Sequence, residues 1–372
     1  MKKILTIGGS TQDIYLRYDG ADYMTINQKS CESKYILLKS GDKIEVDNIL
    51  YFTGGGATNS AVSFKRLGFD VSCFTKIGTD QAGQQVIDDL TSENINCKSI
   101  IKTKEIQTGT SFVIHTTSKE RTIFAYRGAN GFIKKSEIPF DVMKKSDQIY
   151  ITSLSHHSSQ ILPEIVKFAH KNKIKVAINP GISQLAHGTL KLKESLKYIN
   201  TLIMNSDEAK SFMIALIEND KIYKEILKES KCENVCIQDN LIKPVLLEKP
   251  ILHQDYYFSI RKFFKETLKM GPEIVVITDG ANGVYAAYKN KIYFHPSIKT
   301  QITDTLGAGD AFGSCFVASL LSGKNIKQAL FNGITNSSSV IEKMGAKPGL
   351  LTKKQLNSKK INLKLIKEFN LD

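Results

Sequence analysis

The chain has 372 residues, 41% of them hydrophobic, enough to bury a core in one large domain with room for a smaller one. Lys and Arg outnumber Asp and Glu by 51 to 37, a formal charge of +14. The arginines are only Arg17, Arg66, Arg121, Arg127 and Arg261, the lysines are spread over the whole length, and no basic stripe alternates with aromatics; nucleic-acid binding is therefore not expected, while polyanionic substrates such as nucleotides are favoured.

No apolar run approaches bilayer length, so no membrane partner is expected. Met1-Lys2-Lys3 leads straight into a strand pattern at Lys3–Ile7, without the apolar region of a signal peptide, and the reading is a cytoplasmic protein. Gly9-Ser10-Thr11-Gln12-Asp13 follows that strand. In an open α/β sheet, ligands sit beyond the carboxyl ends of strands, so Asp13 stands where it can accept hydrogen bonds from hydroxyl groups; an ordinary loop Asp is the alternative. From about Asp13 to Val46 the pattern alternates like antiparallel strands, with no helix signal. Gly54-Gly55-Gly56-Ala57-Thr58-Asn59 then opens a helix predicted over Asn59–Leu67. The glycines allow close approach to a ligand, and Asn59 offers both a donor and an acceptor.

A strand at Val71–Ile77 runs into Gly78-Thr79-Asp80-Gln81-Ala82-Gly83, read as structural, and a helix at Gly83–Glu93. Thr108–Tyr126 reads as a hairpin, with a polar turn at Thr117–Glu120. Arg127 ends its second strand. Its planar fork suits a carboxylate or phosphate; a solvated arginine at a hairpin end is the alternative. Strands at Gln148–Thr152 and Lys175–Asn179 flank a helix at Ser159–Asn172, and His156-His157 between them reads as a solvated or capping pair.

The strand Thr201–Met204 leads into Asn205-Ser206-Asp207-Glu208 and a helix at Asp207–Ile217. Hard oxygen ligands of this kind suit Mg²⁺, and a capping Asn with a first-turn Glu gives the same string for structural reasons alone. Glu218–Gly271 is a motif-free stretch rich in Lys, Glu and aromatics, predicted to hold two or three helices. The strand Ile274–Thr278 is followed by Asp279-Gly280-Ala281-Asn282-Gly283, and no P-loop string exists in the chain. The alternation of strands and helices predicts an α/β fold with a mainly parallel sheet between helices, beside a small separate sheet from 13–46 and the hairpin. The cysteines Cys31, Cys73, Cys97, Cys232, Cys236 and Cys315 lack zinc-site spacing and read as free thiols.

The densest chemistry lies at Asp304-Thr305-Leu306-Gly307-Ala308-Gly309-Asp310, ahead of a small-residue apolar helix. Bare amides at a helix start attract anions. A carboxylate there makes sense if Asp310 takes a proton from a hydroxyl while the amides hold the phosphoryl group under attack; a plain helix cap is the alternative.

This string resembles the C-terminal signature of the ribokinase-like (PfkB) family of carbohydrate and nucleoside kinases, and Gly54–Ala61 resembles its N-terminal signature. Asn205–Glu208 is similar to the family's N-x-x-E motif, Thr278–Gly283 to its nucleotide loop, and Asn332–Pro348 to the stretch flanking the adenine. The motifs run in family order over residues 1–350, apart from 218–271. The resemblance implies a ribokinase-like fold: a core of 1–12, 47–106 and 128–350, a β lid of 13–46 and 107–127, a core insertion at 218–271 and a peripheral helical tail at 351–372. It implies ATP-dependent phosphorylation of a sugar or sugar derivative; a nucleoside kinase or a non-catalytic sensor of the same fold are the alternatives.

Asp310 is then the base, the amides of Ala308, Gly309 and Asp310 form the anion hole, and Gly307 belongs to the same catalytic turn. Asn205 and Glu208 hold Mg²⁺ through water. Asn205, Thr278, Gly280, Gly283, Gly309 and Asn336 take the ATP. Asp13, Gly55, Gly56, Asn59, Asp310 and the lid-return residue Arg127 take the acceptor. A monovalent cation, K⁺, is allowed at Asp304, and a homodimer through the lid. Two features depart from the family: Gly56 stands where sugar kinases often carry Lys, and Tyr150–His157 has no Glu where ribokinases grip ribose. Both count against ribose itself.

Overall fold

The β-branched, almost wholly apolar runs of the sequence stand side by side, as strands buried on both faces must. The computed structural model describes residues 1–28, 31–116, 121–220, 222–223, 244–248, 251–253 and 256–372. Asp70–Phe74, Lys3–Ile7, Gln148–Ile151, Lys175–Ile178, Thr201–Asn205 and Ile274–Thr278 are parallel neighbours in that order. Val284–Tyr288, Lys291–His295 and Lys367–Asn370 extend the sheet antiparallel at one edge.

Alternate side chains enter opposite layers. Leu5, Ile7, Val275 and Ile277 face the helices Leu162–Lys171, Ser206–Asn219 and Ile260–Lys269. Ile4, Ile274 and Val276 face the other layer, built from Gly56–Arg66, Ala308–Leu321 and Ile326–Ile341. Ala308–Leu321 is buried nearly all round, wedged between its two helical neighbours and the sheet, which is why its sequence lacks a polar stripe.

A second sheet of four strands lies in the order Arg121–Tyr126, Gly109–His115, Thr11–Arg17, Asn48–Gly54. Its last strand falls within 47–106, the range expected in the core, and Thr11 and Gln12 also belong to this sheet. The chain leaves the smaller sheet at Gly54, not near Asp47. The pairing that decides this, Thr11 with Gly54 and Arg17 with Asn48, is non-local and leaves no local pattern. Asp22–Gln28 and Cys31–Leu37 pair only with each other, as a hairpin. The expected strand Val71–Ile77 is two: Lys76–Gly78 pairs separately with Ile101–Thr103. The polar turn 117–120 lies outside the described residues.

Two further expectations change. The end of 218–271 is core: in helix Ile260–Lys269, Phe263 and Phe264 are fully buried against the large sheet. Residues 224–243 lie outside the described residues. The tail is not only a peripheral helix; after Lys353–Ser358 it closes the large sheet with the edge strand Lys367–Asn370. Phe369 and Leu371 alternate there with Glu368 and Asn370, a period of two that the lysine-rich composition obscured.

Phe264 gives a direct check. Phe264→Ala is expected to lower the unfolding free energy by roughly 3–5 kcal/mol, the cost of a large cavity in a tight core. Urea titration measures it; a loss below about 1 kcal/mol would return this helix to a peripheral insertion.

Candidate active site

The motifs converge at the carboxyl ends of the parallel strands, on the side where the smaller sheet sits. The turn Gly54-Gly55-Gly56 is shaped by its neighbours. Gly55 has φ 93°, and a β-carbon there would lie 2.5 Å from the Gly9 carbonyl oxygen. That same carbonyl accepts the Ala57 N–H at 3.1 Å. A side chain at Gly56 would meet Thr152 at 2.7 Å, so the position where sugar kinases carry Lys is closed by Thr152 here.

One turn into the helix, Asn59 Nδ2 donates to Asp310 Oδ2 at 2.9 Å, bridging motifs 251 positions apart. Asn59 Oδ1 is buried without a partner among the described residues. Asp310 starts the helix Ala308–Leu321, whose cap, Gly307, takes the left-handed φ of 78°. A β-carbon at Gly307 would overlap Ala346 at 2.4 Å, so only glycine makes this turn. No side chain caps the helix, and its first internal bond runs from Ala311 N–H to the Gly307 carbonyl. Of the amides before it, Ala308 N–H makes a long 3.4 Å bond to the Thr305 carbonyl, and those of Gly309 and Asp310 face the anion-binding end of the helix.

Burial pushes the Asp310 carboxyl above its ordinary pKa, the Asn59 hydrogen bond opposes this, the Asp13 charge adds to it and Lys347 opposes it. Asp13 is itself buried, and burial raises its pKa against hydrogen bonds from Thr11 and Ser111. Glu208 is raised too, by burial first, with the Asn205 amide and Asn179 opposing and the Asp310 charge adding. Glu208 and Asn205 form a reciprocal helix cap: Glu208 N–H donates to Asn205 Oδ1 at 2.7 Å and Asn205 N–H to Glu208 Oε2 at 2.8 Å. The capping alternative is thus present, yet the carboxylate still feels Asp310.

A cavity of about 630 Å³ opens beside the same helix start. Thr278, Gly280, Gly283, Ala308 and Gly309 line it, with apolar walls from Ile298, Phe312, Ile334 and Ile341. Asn336 does not line it. The wall is taken by Ile334, Ser337, Ser338 and Ile341, one face of the helix, whereas Asn336 points into the core and bonds Ala311 O and Leu351 N at 2.9 Å each.

Two other expectations are displaced. Arg127 is exposed and lines a separate cavity of about 330 Å³ with Tyr126, Phe132, His156 and His157. Asp304, expected at a monovalent cation, is a buried hub. Its Oδ2 accepts from Tyr15 Oη at 2.7 Å and Gly345 N–H at 3.0 Å, its Oδ1 from Leu306 N–H at 2.9 Å, and the Arg121 guanidinium stands 3.7 Å away. It is a counter-ion for protein groups, and both of its oxygens are engaged by them.

Sequence reading missed Tyr15, Arg121 and Lys347. Tyr15 lies two residues beyond Asp13, on the same strand face, a period-two signal within reach. Lys347 sits inside the quoted Gly345–Pro348 string and is buried, its Nζ donating to Thr53 Oγ1 at 2.7 Å and Asp89 Oδ2 at 2.6 Å. No sequence signal pairs it with Asp89, 258 positions away.

The profile of the pfkB family carbohydrate kinases matches residues 22–238 and 259–353. The unmatched 239–258 falls within the stretch expected as an insertion. A ribokinase of Staphylococcus aureus is 26% identical over 311 residues, 82% of this chain and 87% of its own length. The crystal structure of ribokinase from Thermotoga maritima superposes with a TM-score of 0.71 at 19% identity, covering 96% of this chain and 99% of that one. A nucleoside kinase of Methanocaldococcus jannaschii gives 0.67 at 18%, over 96% and 97%. The two structures attest the ribokinase-like fold. With the family matched over most of its length, this chain belongs to the pfkB family of carbohydrate kinases, ATP-dependent phosphotransferases.

Proposed function

We propose that this kinase phosphorylates a hydroxyl of a sugar or sugar derivative with Asp310 as general base. The observation that carries the reading is the Asn59–Asp310 bond at 2.9 Å, which sets the raised carboxylate beside the open helix amides and next to Asp13. In this reading Asp13, Gly55 and Asn59 hold the acceptor, with the buried, unpartnered Asn59 Oδ1 free to accept from one of its hydroxyls. Asp310 takes the hydroxyl proton as the oxygen attacks the terminal phosphorus. The bond to the ADP oxygen breaks, and the amides of Ala308, Gly309 and Asp310 hold the charge on the phosphoryl oxygens. The cavity of Thr278, Gly280 and Gly283 takes the nucleotide. A nucleoside acceptor in place of a sugar changes only the contacts around Asp13.

Mg²⁺ fits the residues present. Burial raises the pKa of both Glu208 and Asp310, and the Asp310 charge raises Glu208 further; a divalent cation nearby would relieve both. Among the described residues no group of three or more His, Cys, Asp or Glu could hold a metal. Bound with ATP, Mg²⁺ neutralises phosphate charge; Asn205 and Glu208 orient its waters.

The smaller sheet is read as a lid. Tyr51, Ile14, Phe112 and Phe124 are cross-strand neighbours on its outer face, and three of them are exposed. A solvent-facing aromatic row of this kind suits a second copy of the chain.

Three outcomes check these assignments. Asp310→Asn is expected to keep the fold and nucleotide affinity and to lose roughly 10²–10⁴ in kcat, whereas Glu208→Gln raises the Mg²⁺ requirement more than the acceptor KM. Near-normal turnover of Asp310→Asn on the best substrate in a panel of sugars, sugar acids and nucleosides would remove the base. In the pH profile, a base must be ionised, so kcat/KM falls on the acid side with an apparent pKa above 3.8. Since the Asn59 bond holds that pKa down, Asn59→Ala moves the acid limb to higher pH; an unmoved limb means no coupling. Finally, Phe124→Lys is expected to convert a dimer to a monomer in sedimentation, and a wild-type monomer at all concentrations refutes the lid dimer.

A further inference from the structure

The strand Gln148–Ile151 ends on the face of the sheet where the site lies, and the segment that follows it carries His156 and His157. His156 has φ 46°, a left-handed conformation uncommon for a residue with a side chain. It is pinned from both sides: its N–H donates to Ser183 Oγ at 3.2 Å, and its carbonyl accepts from Ser159 Oγ at 2.7 Å. Gly131 leaves room for the ring, since a β-carbon there would stand 3.1 Å from it. The imidazole is thereby set on a wall shared by two cavities. One, of about 330 Å³, is completed by Tyr126, Arg127, Phe132 and His157. The other, of about 270 Å³, is completed by His157, Ser183 and His187.

The chemistry of this groove suits an anion. Among the described residues, none that lines either cavity is an Asp or a Glu. The Arg127 guanidinium is exposed and makes no ion pair among the described residues, so its fork is open to a carboxylate or a phosphate. Each imidazole supplies an N–H donor in either protonation state. The His157 ring packs on Phe132 with centroids 5.5 Å apart, which holds it in place.

The groove lies one loop from the acceptor turn. The loop Gly128–Gly131 runs from Arg127 to the contact with His156. Within it, Asn130 Oδ1 accepts from Ser10 N–H at 2.9 Å and Asn130 Nδ2 donates to the Ser10 carbonyl at 2.7 Å. The neighbouring Gly9 carbonyl accepts from Ala57 N–H, at the end of the glycine turn, and the strand that bears Asp13 begins at Thr11.

We propose that this groove is an acceptor subsite for an anionic group, a carboxylate or a phosphate, carried by the sugar at a distance from the hydroxyl that is phosphorylated. The proposal rests on the acceptor reading of Asp13 and Asn59. Arg127 does not meet the reacting hydroxyl; it meets the far end of the same molecule. The substrates this kinase prefers are then sugar acids or sugar phosphates rather than neutral sugars.

Wild type, Arg127→Gln and His156→Gln are assayed for ADP release with neutral sugars, the matching sugar acids and the matching sugar phosphates. Wild type is expected to favour an anionic acceptor over its neutral counterpart by about tenfold or more in kcat/KM, and the acid and phosphate arms say which group it takes. Arg127→Gln loses one charge-assisted contact and is expected to lower that preference about tenfold, mostly through KM. His156→Gln, on a different element, is expected to lower it less, and it serves if the first variant does not fold. Wild type favouring neutral sugars, or an equal loss on charged and neutral acceptors in the variants, overturns the subsite and leaves the kinase reading standing. If wild type releases no ADP with any acceptor, the kinase reading fails. Calorimetry with the sugar acids and sugar phosphates then decides the groove: binding that Arg127→Gln weakens supports it, and binding that is absent or unchanged overturns it.

Discussion

A carboxylate cannot stay buried unless donors surround it, and Asp304 organises this enzyme through that requirement. Its partners come from four places: the hydroxyl of Tyr15 on one lid strand, the Arg121 guanidinium on another as an ion pair at 3.7 Å, the amide of Gly345 and the amide of its own turn at Leu306. Meeting its needs therefore fixes the lid to the core and fixes the turn that leads to Asp310. Gly307 follows from it, because the turn passes so close to Ala346 that no side chain fits. Asp13 follows too, since it shares a strand and a face with Tyr15. A residue first read as a cation ligand is the joint on which the site is assembled.

Around that joint the electrostatics are arranged against ionisation. Asp13, Asp310 and Glu208 are each raised by burial, and the Asp310 charge is felt at Glu208 as that of Asp13 is at Asp310. Opposing them are hydrogen bonds, from Asn59 above all, and one buried ammonium, Lys347, which acts on both Asp13 and Asp310. A cluster of carboxylates raised above their ordinary pKa is better suited to accept protons, and it draws in cationic company. Tyr150 belongs to the same neighbourhood. Its hydroxyl is fully buried without a partner among the described residues, and burial with the charges of Asp310 and Glu208 pushes it well above its ordinary pKa. It forms the floor of the site, under Gly313, where a β-carbon would come within 2.2 Å of the hydroxyl oxygen.

Legibility in the sequence followed the range of the interaction. The parallel strands were readable because burial on both faces leaves continuous apolar runs, and the helices because their caps and periodicity are local. Asp310, Gly309 and Asn59 were readable because glycine turns and polar residues at helix starts cluster within a few positions. Asn336 was misplaced by one residue of helical phase, enough to turn it from the cavity face, where Ser337 stands, into the core. Arg127 was singled out because it ends the hairpin, while the contact of Arg121 with Thr305 spans 184 positions and leaves no local signal. The edge strand Lys367–Asn370 was hidden by its lysines and by the distance to its partner, Lys291–His295.

Taken alone, the sequence determined the layers of the fold, the order of the motifs and the chemistry of the catalytic turn, because each is written in neighbouring residues. Tertiary structure alone decided which strands close the lid, where its boundary lies, and what Asp304, Lys347, Tyr15 and Arg121 do. Those assignments depend on contacts between residues far apart in the chain. A buried charge takes whichever donor the fold delivers to it, and its own flanking sequence does not name that donor.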